Sequence, residues 1–440
     1  MAEQAEKKLL GTVTISPQTI EDIKKNVDNV AELKKKIEEY AAQNTTNLLD
    51  VILYGAIILN ASDIHIEPQT EEIRLRMRID GVLQDICFFQ KNIYHNLLSR
   101  IKLLSKIKLN ITDKPQDGRF TIAIGDLPVE IRTSTLPAEY GESIVMRILN
   151  PQNFMELPAL GLRKDLYEII QKQITRPNGM IAVTGPTGSG KTTTLYAFLM
   201  KMQNSEMKII TIEDPIEYHL KGVSQTQVAP EKGYDFPGGL RSIVRQDPDV
   251  ILVGEIRDLE TAKIALQAAL TGHLVLSTLH TNDAAGAIPR LVDLGAEPSS
   301  IAPGLNMVIG QRLVRQVCKQ CSSLAKPSPQ ELSEIKKGLK GVPKEIGLPK
   351  NLTALKIPMS HEKGCAACNF TGYRGRKGIY ELFVADEQME KFILTNPPVS
   401  QIKALLVKKG MITMWQSGLI EVALGETTLE EVRKVVEADE

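Results

Sequence analysis

Residues 185–193 constrain the fold more than any other stretch of the chain. They read Gly185-Pro186-Thr187-Gly188-Ser189-Gly190-Lys191-Thr192-Thr193. An apolar run, Met180-Ile181-Ala182-Val183-Thr184, precedes them, and a helical stretch from Leu195 to Met200 follows. The order strand, glycine-rich turn, helix is the setting in which G-x-x-x-x-G-K-[ST] cradles a nucleotide triphosphate. Backbone N–H groups of such a turn point at the phosphates, and the helix N-terminus adds partial positive charge. In this pattern Lys191 reaches the β- and γ-phosphates of ATP and Thr192 holds Mg²⁺. A merely flexible turn does not explain why Lys-Thr stands directly at the helix start.

The chain has 440 residues, a length that suits two or three domains. Its 53 basic and 53 acidic residues cancel, which argues against bulk electrostatic binding to nucleic acid and leaves only a local patch open. The first residues, Met1-Ala2-Glu3-Gln4-Ala5-Glu6-Lys7-Lys8, are polar and lack the apolar core of a signal peptide. No apolar run reaches the ~18–20 residues that span a bilayer. A cytoplasmic chain is expected, with any association with the inner membrane made through partners.

Residues 1–45 are expected to form a charged docking segment. Within it Ser16 and Pro17 open an amphipathic helix over 17–42, with apolar residues from Ile20 to Tyr40 at spacings of three and four. Whether that stripe packs on its own domain or on a partner stays open. A small α+β domain is expected over 46–149. In Ile73-Arg74-Leu75-Arg76-Met77-Arg78-Ile79 the arginines fall on one face of a strand, read as a solvated face or as a positive stripe toward a neighbour or nucleotide. Asp80-Gly81 predicts a hairpin turn. In a later strand Arg147 alternates with Val145 and Leu149 on an otherwise apolar face. A charge there calls for a nucleotide phosphate or an acidic partner across an interface. Residues 150–161, with two prolines, read as an interdomain linker, a hinge on which two domains close over ATP.

The second domain is expected over 162–310. Strand-like runs at 180–184, 207–212, 250–254 and 274–279 alternate with helical stretches, which predicts a parallel sheet with ligands at its carboxyl edge. The first run ends in the phosphate loop. The others end in Glu213-Asp214-Pro215-Ile216-Glu217, in Gly254-Glu255 and in His280-Thr281-Asn282. Phosphoryl transfer needs one carboxylate to organise Mg²⁺ and another to polarise the attacking water. Glu255, with Thr192, takes the metal side and Glu213 is the better candidate for the water, although the two roles can be exchanged. His280 fits a sensor of the γ-phosphate, or a histidine that only caps its strand.

Four of the five cysteines form two C-x-x-C pairs, Cys318/Cys321 and Cys365/Cys368. Four thiolates suit a closed tetrahedral Zn²⁺ site, with His361 an alternative ligand. The zinc-binding region is placed at 311–380. Its intervening residues 322–364, rich in Lys, Pro and Gly, read as an exposed loop. Cys87 reads as buried and inert, and the tail, 381–440, as helical with Trp415 a packing residue.

Four further segments carry a family resemblance. Ser62-Asp63-Ile64-His65-Ile66-Glu67-Pro68, Arg245 through Asp258, and Thr271 through Asn282, together with Gln311-Arg312-Leu313-Val314-Arg315, resemble the signatures of the secretion ATPase superfamily. Within it the chain is most similar to the type II secretion and type IV pilus assembly ATPases, over roughly residues 46–385. The resemblance implies an α/β chain: a RecA-like P-loop NTPase domain preceded by a small α+β, PAS-like domain, with a zinc-binding insert and a helical C-terminus. It implies a homo-hexamer that works through an inner-membrane platform protein, with a cytoplasmic adaptor as a further partner and no nucleic acid. It makes 213–217 an acidic box, 250–255 a Walker B strand and 271–282 a histidine box. It carries the phosphate-reaching arginines of the small domain onto Arg132 and Arg147, and less directly onto Arg119, and gives Arg74, Arg76 and Arg78 no role. The cysteines favour assembly over retraction. Some 45 residues before the core are fewer than assembly members carry, which leaves the docking mode open. A nucleic-acid motor and a non-hydrolysing nucleotide-binding scaffold are the competing classes; neutral charge opposes the first, and Lys191, Glu213 and Glu255 oppose the second.

Overall fold

The computed structural model describes residues 12–41, 45–125, 127–349, 352, 355–361 and 363–438. The polar N-terminal residues read above for a leader fall outside these. The described chain divides into two compact units. One runs to Asn153 and takes in His361–Arg374; the other comprises Phe154–Ser360 and the residues from Gly375 onward.

The first unit is built on a seven-stranded sheet. Its strands are β1 (Thr12–Thr14), β2 (Asp63–Pro68), β3 (Ile73–Ile79), β4 (Val82–Phe89), β5 (Gln116–Ile124), β6 (Leu127–Ala138) and β7 (Gly141–Leu149), in the order β1-β5-β6-β7-β2-β3-β4. Period-two alternation assigns the faces. Ile73, Leu75, Met77 and Ile79 of β3 are buried, and Arg74, Arg76 and Arg78 point the other way, only partly covered. The β3–β4 hairpin turns at Asp80 and Gly81, with φ of 50° and 85°. Two successive positive φ values are what a type I′ turn requires.

Four helices belong to this unit: α1 (Pro17–Asn26), α2 (Val30–Ala41), α3 (Thr45–Ile58) and α4 (Lys91–Leu104). The single helix expected over 17–42 is therefore two. The break has a local cause: Asn29 Oδ1 accepts from Glu32 N at 3.0 Å, capping a new helix start. The stripe on these helices is spent inside the unit. Ile23, Leu33 and Ile37 are fully buried, in one core with α3 and the apolar sheet face. The amide of Val30 is capped in turn by Asn369 Oδ1 at 2.9 Å.

The second unit holds another seven-stranded sheet, in the order β10-β9-β11-β12-β8-β13-β16. These are β8 (Gly179–Thr184), β9 (Ile209–Glu213), β10 (Ser224–Gln227), β11 (Val250–Val253), β12 (Leu274–Leu279) and β13 (Leu305–Val317), with β16 (Tyr373–Val384) at the edge. The pairings from β10 through β13 are parallel. The four predicted strands all form and are entirely buried, which is why they read as unbroken apolar runs. Helix α5 (Lys164–Ile174) leads into β8, and α6 (Lys191–Met202) follows the glycine-rich turn.

Two segments are more structured than their sequence reading. The boundary between the two units falls within residues 150–161, after Asn153. Leu157 and Leu160 are buried in the second unit's core, and Tyr380 Oη donates to Leu160 O at 3.2 Å. The described residues of 322–364 are not a bare loop. They form β14 (Ser323–Ala325), paired antiparallel with β15 (Ile357–Met359), and a helix Pro329–Gly338 with a Ser328/Glu331 capping box. Ile335 and Ile357 are buried in a core with Trp415 and Leu419. The abundant Lys, Pro and Gly conceal a few well-spaced apolar anchors.

Candidate functional site: a phosphate loop at the carboxyl edge of the sheet

The turn between β8 and α6 exists because of three glycines. Gly185, Gly188 and Gly190 have φ of 152°, 79° and 88°, a region that side chains strain. At Gly185 a Cβ would also lie 2.4 Å from the carbonyl oxygen of Gln311. At Gly190 it would meet Gln311 Nε2 at 2.8 Å. Strand β13 therefore presses the loop from one side, and Thr194 Oγ1 fastens the helix to Gln311 Oε1 at 2.8 Å. Helix α6 begins at Lys191, so its first, unshared N–H groups come from Lys191, Thr192 and Thr193. Lys191 Nζ donates to the carbonyls of Gly185 and Pro186 at 2.8 and 3.0 Å. Burial pushes its pKa down, and the Glu255 carboxylate works against that shift.

The ends of neighbouring strands are laced together. Thr184 Oγ1 meets Thr281 Oγ1 at 2.6 Å and accepts from Thr281 N at 2.9 Å. Thr278 Oγ1 donates to Gly254 O at 2.7 Å. These bonds place Glu255 beside His280, with Nε2 to Oε2 at 3.2 Å. Arg257 Nε lies 2.6 Å from the same oxygen. Lys191, Glu255 and His280, expected together, are thus gathered at one edge of the sheet. Arg257 falls within the Arg245–Asp258 signature, which assigns it no role.

Glu213 is placed differently. Its side chain turns inward and is buried. Thr211 Oγ1 donates to Oε1 at 2.5 Å, Gln225 Nε2 to Oε1 at 3.2 Å, and Tyr196 Oη donates to Oε2. Burial holds its carboxyl above the ordinary glutamate range, with these three donors opposing the shift. Tyr196 and Gln225 carried no motif by which sequence reasoning could find them; an apolar helix hides the tyrosine.

In the first unit, backbone register brings the predicted arginines into one row. Arg119 lies opposite Arg132, Arg132 opposite Arg147, Arg147 opposite Asp63, and Asp63 opposite Arg78. Directly opposed residues of adjacent strands share a face. Arg147 is therefore not stranded on an apolar face: its side chain is 54% exposed, and its Nε donates to Asp63 Oδ1 at 3.0 Å within the same sheet. Arg132 Nε donates to Glu130 Oε1 at 3.1 Å. Arg74, Arg76 and Arg78 are ion-paired with Asp85, Glu67 and Asp63.

The four cysteines of the C-x-x-C pairs come together, their Sγ atoms all within 4.8 Å of one another. Tetrahedral Zn²⁺ with bonds of about 2.3 Å sets sulfurs about 3.8 Å apart. Cys365 Sγ and Cys368 Sγ are separated by 3.8 Å. Backbone N–H groups of Cys365 and Gly372 point at Cys368 Sγ, at 3.1 and 3.3 Å, as suits a thiolate. The donor set fits zinc, and His361 is outside it. Cys87 is buried apart from the four, its thiol pushed up to about 12 by burial.

Because the folded chain binds the Glu213 proton more tightly than the unfolded chain, this group's contribution to stability is full below the ordinary glutamate pKa. It declines as pH rises through the raised value. Glu213→Gln removes that decline. Thermal melts from about pH 4.5 to pH 8 should show E213Q gaining on the parent as pH rises; a constant difference would contradict the burial of this charge.

Residues 38–434 match the family described as Type II/IV secretion system protein. The chain is 45% identical over 393 residues to a type II secretion system protein E of Dickeya dadantii, covering 89% of this chain and 76% of that protein. It is 40% identical over 426 residues to the type IV pilus assembly ATPase PilB of Thermus thermophilus, covering 96% of this chain and 46% of that one. Its fold is similar to the crystal structure of the pilus retraction motor PilT with bound ADP, with TM-score 0.58, 28% identity, and 88% and 94% of the two chains covered. The chain belongs to the type II/IV secretion system protein family.

Proposed function

We propose that the chain is an ATP-hydrolysing motor of a type II secretion or type IV pilus assembly machine. One observation carries the reading: the phosphate loop lies at the same sheet edge as Glu255 and His280, which meet at 3.2 Å. The loop N–H groups and Lys191 neutralise the phosphates, Thr192 and Glu255 hold Mg²⁺, and His280 senses the γ-phosphate through Glu255. Glu213 polarises water only in a conformation where a donor among Thr211, Tyr196 and Gln225 releases it. Arg132 and Arg147, with Arg119, supply further positive charge to the phosphates. The chain acts as a homo-hexamer, and each cycle of ATP moves one unit against the other to drive polymerisation of pilin-like subunits. It reaches the inner membrane from the cytoplasm through a platform protein, with a cytoplasmic adaptor as a further partner. Among the described residues no helix is long and apolar enough to cross a membrane. The cysteine cluster holds Zn²⁺ as a structural ion and stands outside the reaction.

Lys191→Ala should lower ATP turnover by about 10²–10³-fold or more, the scale of removing one preorganised donor to a developing charge. Turnover at the parent rate in phosphate-release assays would refute the site. Elemental analysis of the purified chain should find about one zinc per chain, lost on Cys368→Ser together with a lower melting temperature. A zinc-free, equally stable parent would refute the metal assignment.

A further inference from the structure

The row Arg119–Arg132–Arg147–Asp63–Arg78 sets four guanidiniums and one carboxylate side by side across five strands. Like charges directly opposite each other repel, so Arg132 pushes on Arg147. Asp63 is what opposes that push. Its side chain is only 7% exposed, and it is gripped from both sides, by Arg147 Nε at 3.0 Å and Arg78 Nε at 3.4 Å. Ser62 Oγ donates to its second oxygen at 2.8 Å.

The geometry of the grip matters more than its strength. Arg147 uses its inner nitrogen, Nε, on Asp63. Among the described residues its side chain makes no other polar contact, and it remains half-exposed. The two outer nitrogens keep the planar fork that matches a phosphate bidentately. A lysine has no inner nitrogen and cannot be anchored and presented at once.

We propose that Asp63 is a positioning residue for nucleotide hydrolysis, holding Arg147 by Nε so that its outer nitrogens meet the phosphate oxygens. The proposal rests on the reading of Arg147 as a phosphate ligand. The carboxylate acts only through the arginine and does not touch nucleotide.

A double-mutant cycle on the full-length chain tests it, with kcat/KM for MgATP as readout. Arg147→Ala should lower kcat/KM by about 10²-fold or more. Asp63→Asn should lower it by about 10-fold, the usual scale for a residue that orients a functional one. The double variant should be no worse than Arg147→Ala alone. Arg147→Lys, which leaves Asp63 intact, should be nearly as defective as Arg147→Ala. Losses from Asp63→Asn and Arg147→Ala that multiply would mean that Asp63 acts by another route, and would overturn the proposal. So would parent-like kcat/KM in Arg147→Lys, or in Asp63→Asn while Arg147→Ala is defective. Parent-like kcat/KM in Arg147→Ala would instead overturn the reading of Arg147 itself, and the proposal with it.

Discussion

Nucleotide chemistry in this chain depends on one close approach: the backbone of β13 pressed against the loop between β8 and α6. The carbonyl of Gln311 lies where any side chain at residue 185 would have to go. Only glycine permits the contact, and the contact fixes the loop so that α6 presents its first amides together. Amides preorganised in this way neutralise phosphate charge without reorganising during reaction, the largest single lever a phosphoryl-transfer site possesses. The threonine lacing at the ends of β8, β11 and β12 extends the same logic to side chains, setting Glu255 and His280 at fixed distance.

The site is also tied to the far end of its own unit. Glu381, on β16, is buried and accepts from Ala284 N at 2.5 Å and Met414 N at 2.9 Å. Ala284 follows the His280 segment, and Met414 opens a C-terminal helix. A buried carboxylate satisfied by two backbone amides is costly to disturb, so it fastens the segment after His280 to that helix. Tyr196 plays a comparable part between α6 and the acidic segment through Glu213.

Much of this was legible in the sequence, for reasons that differ by element. The strands β8, β9, β11 and β12 are buried on both faces and so announce themselves as apolar runs; the phosphate loop does so because its chemistry demands glycine, lysine and threonine in fixed order. The two C-x-x-C pairs gave the cysteine cluster. What stayed hidden depends on register and long-range contact. No periodicity tells that Arg147 stands opposite Asp63, so the alternation of β7 alone does not reveal this acidic partner on the next strand. The split of the N-terminal helix at Asn29 was present as a capping pattern but was masked by an uninterrupted apolar spacing. Likewise β16 straddles the boundary read at 380 between zinc-binding region and helical tail, because nothing local shows that it completes a sheet begun about 200 residues earlier.

The central claim is that the loop and Glu255 form one hydrolytic centre, in which binding and turnover are separable. Single-turnover hydrolysis by Glu255→Gln tests it most directly. The account predicts that this chain, with Mg²⁺, takes up ATP at one equivalent per site and retains it, with hydrolysis slowed by about 10²-fold or more. Hydrolysis of the bound ATP at the parent rate would contradict it.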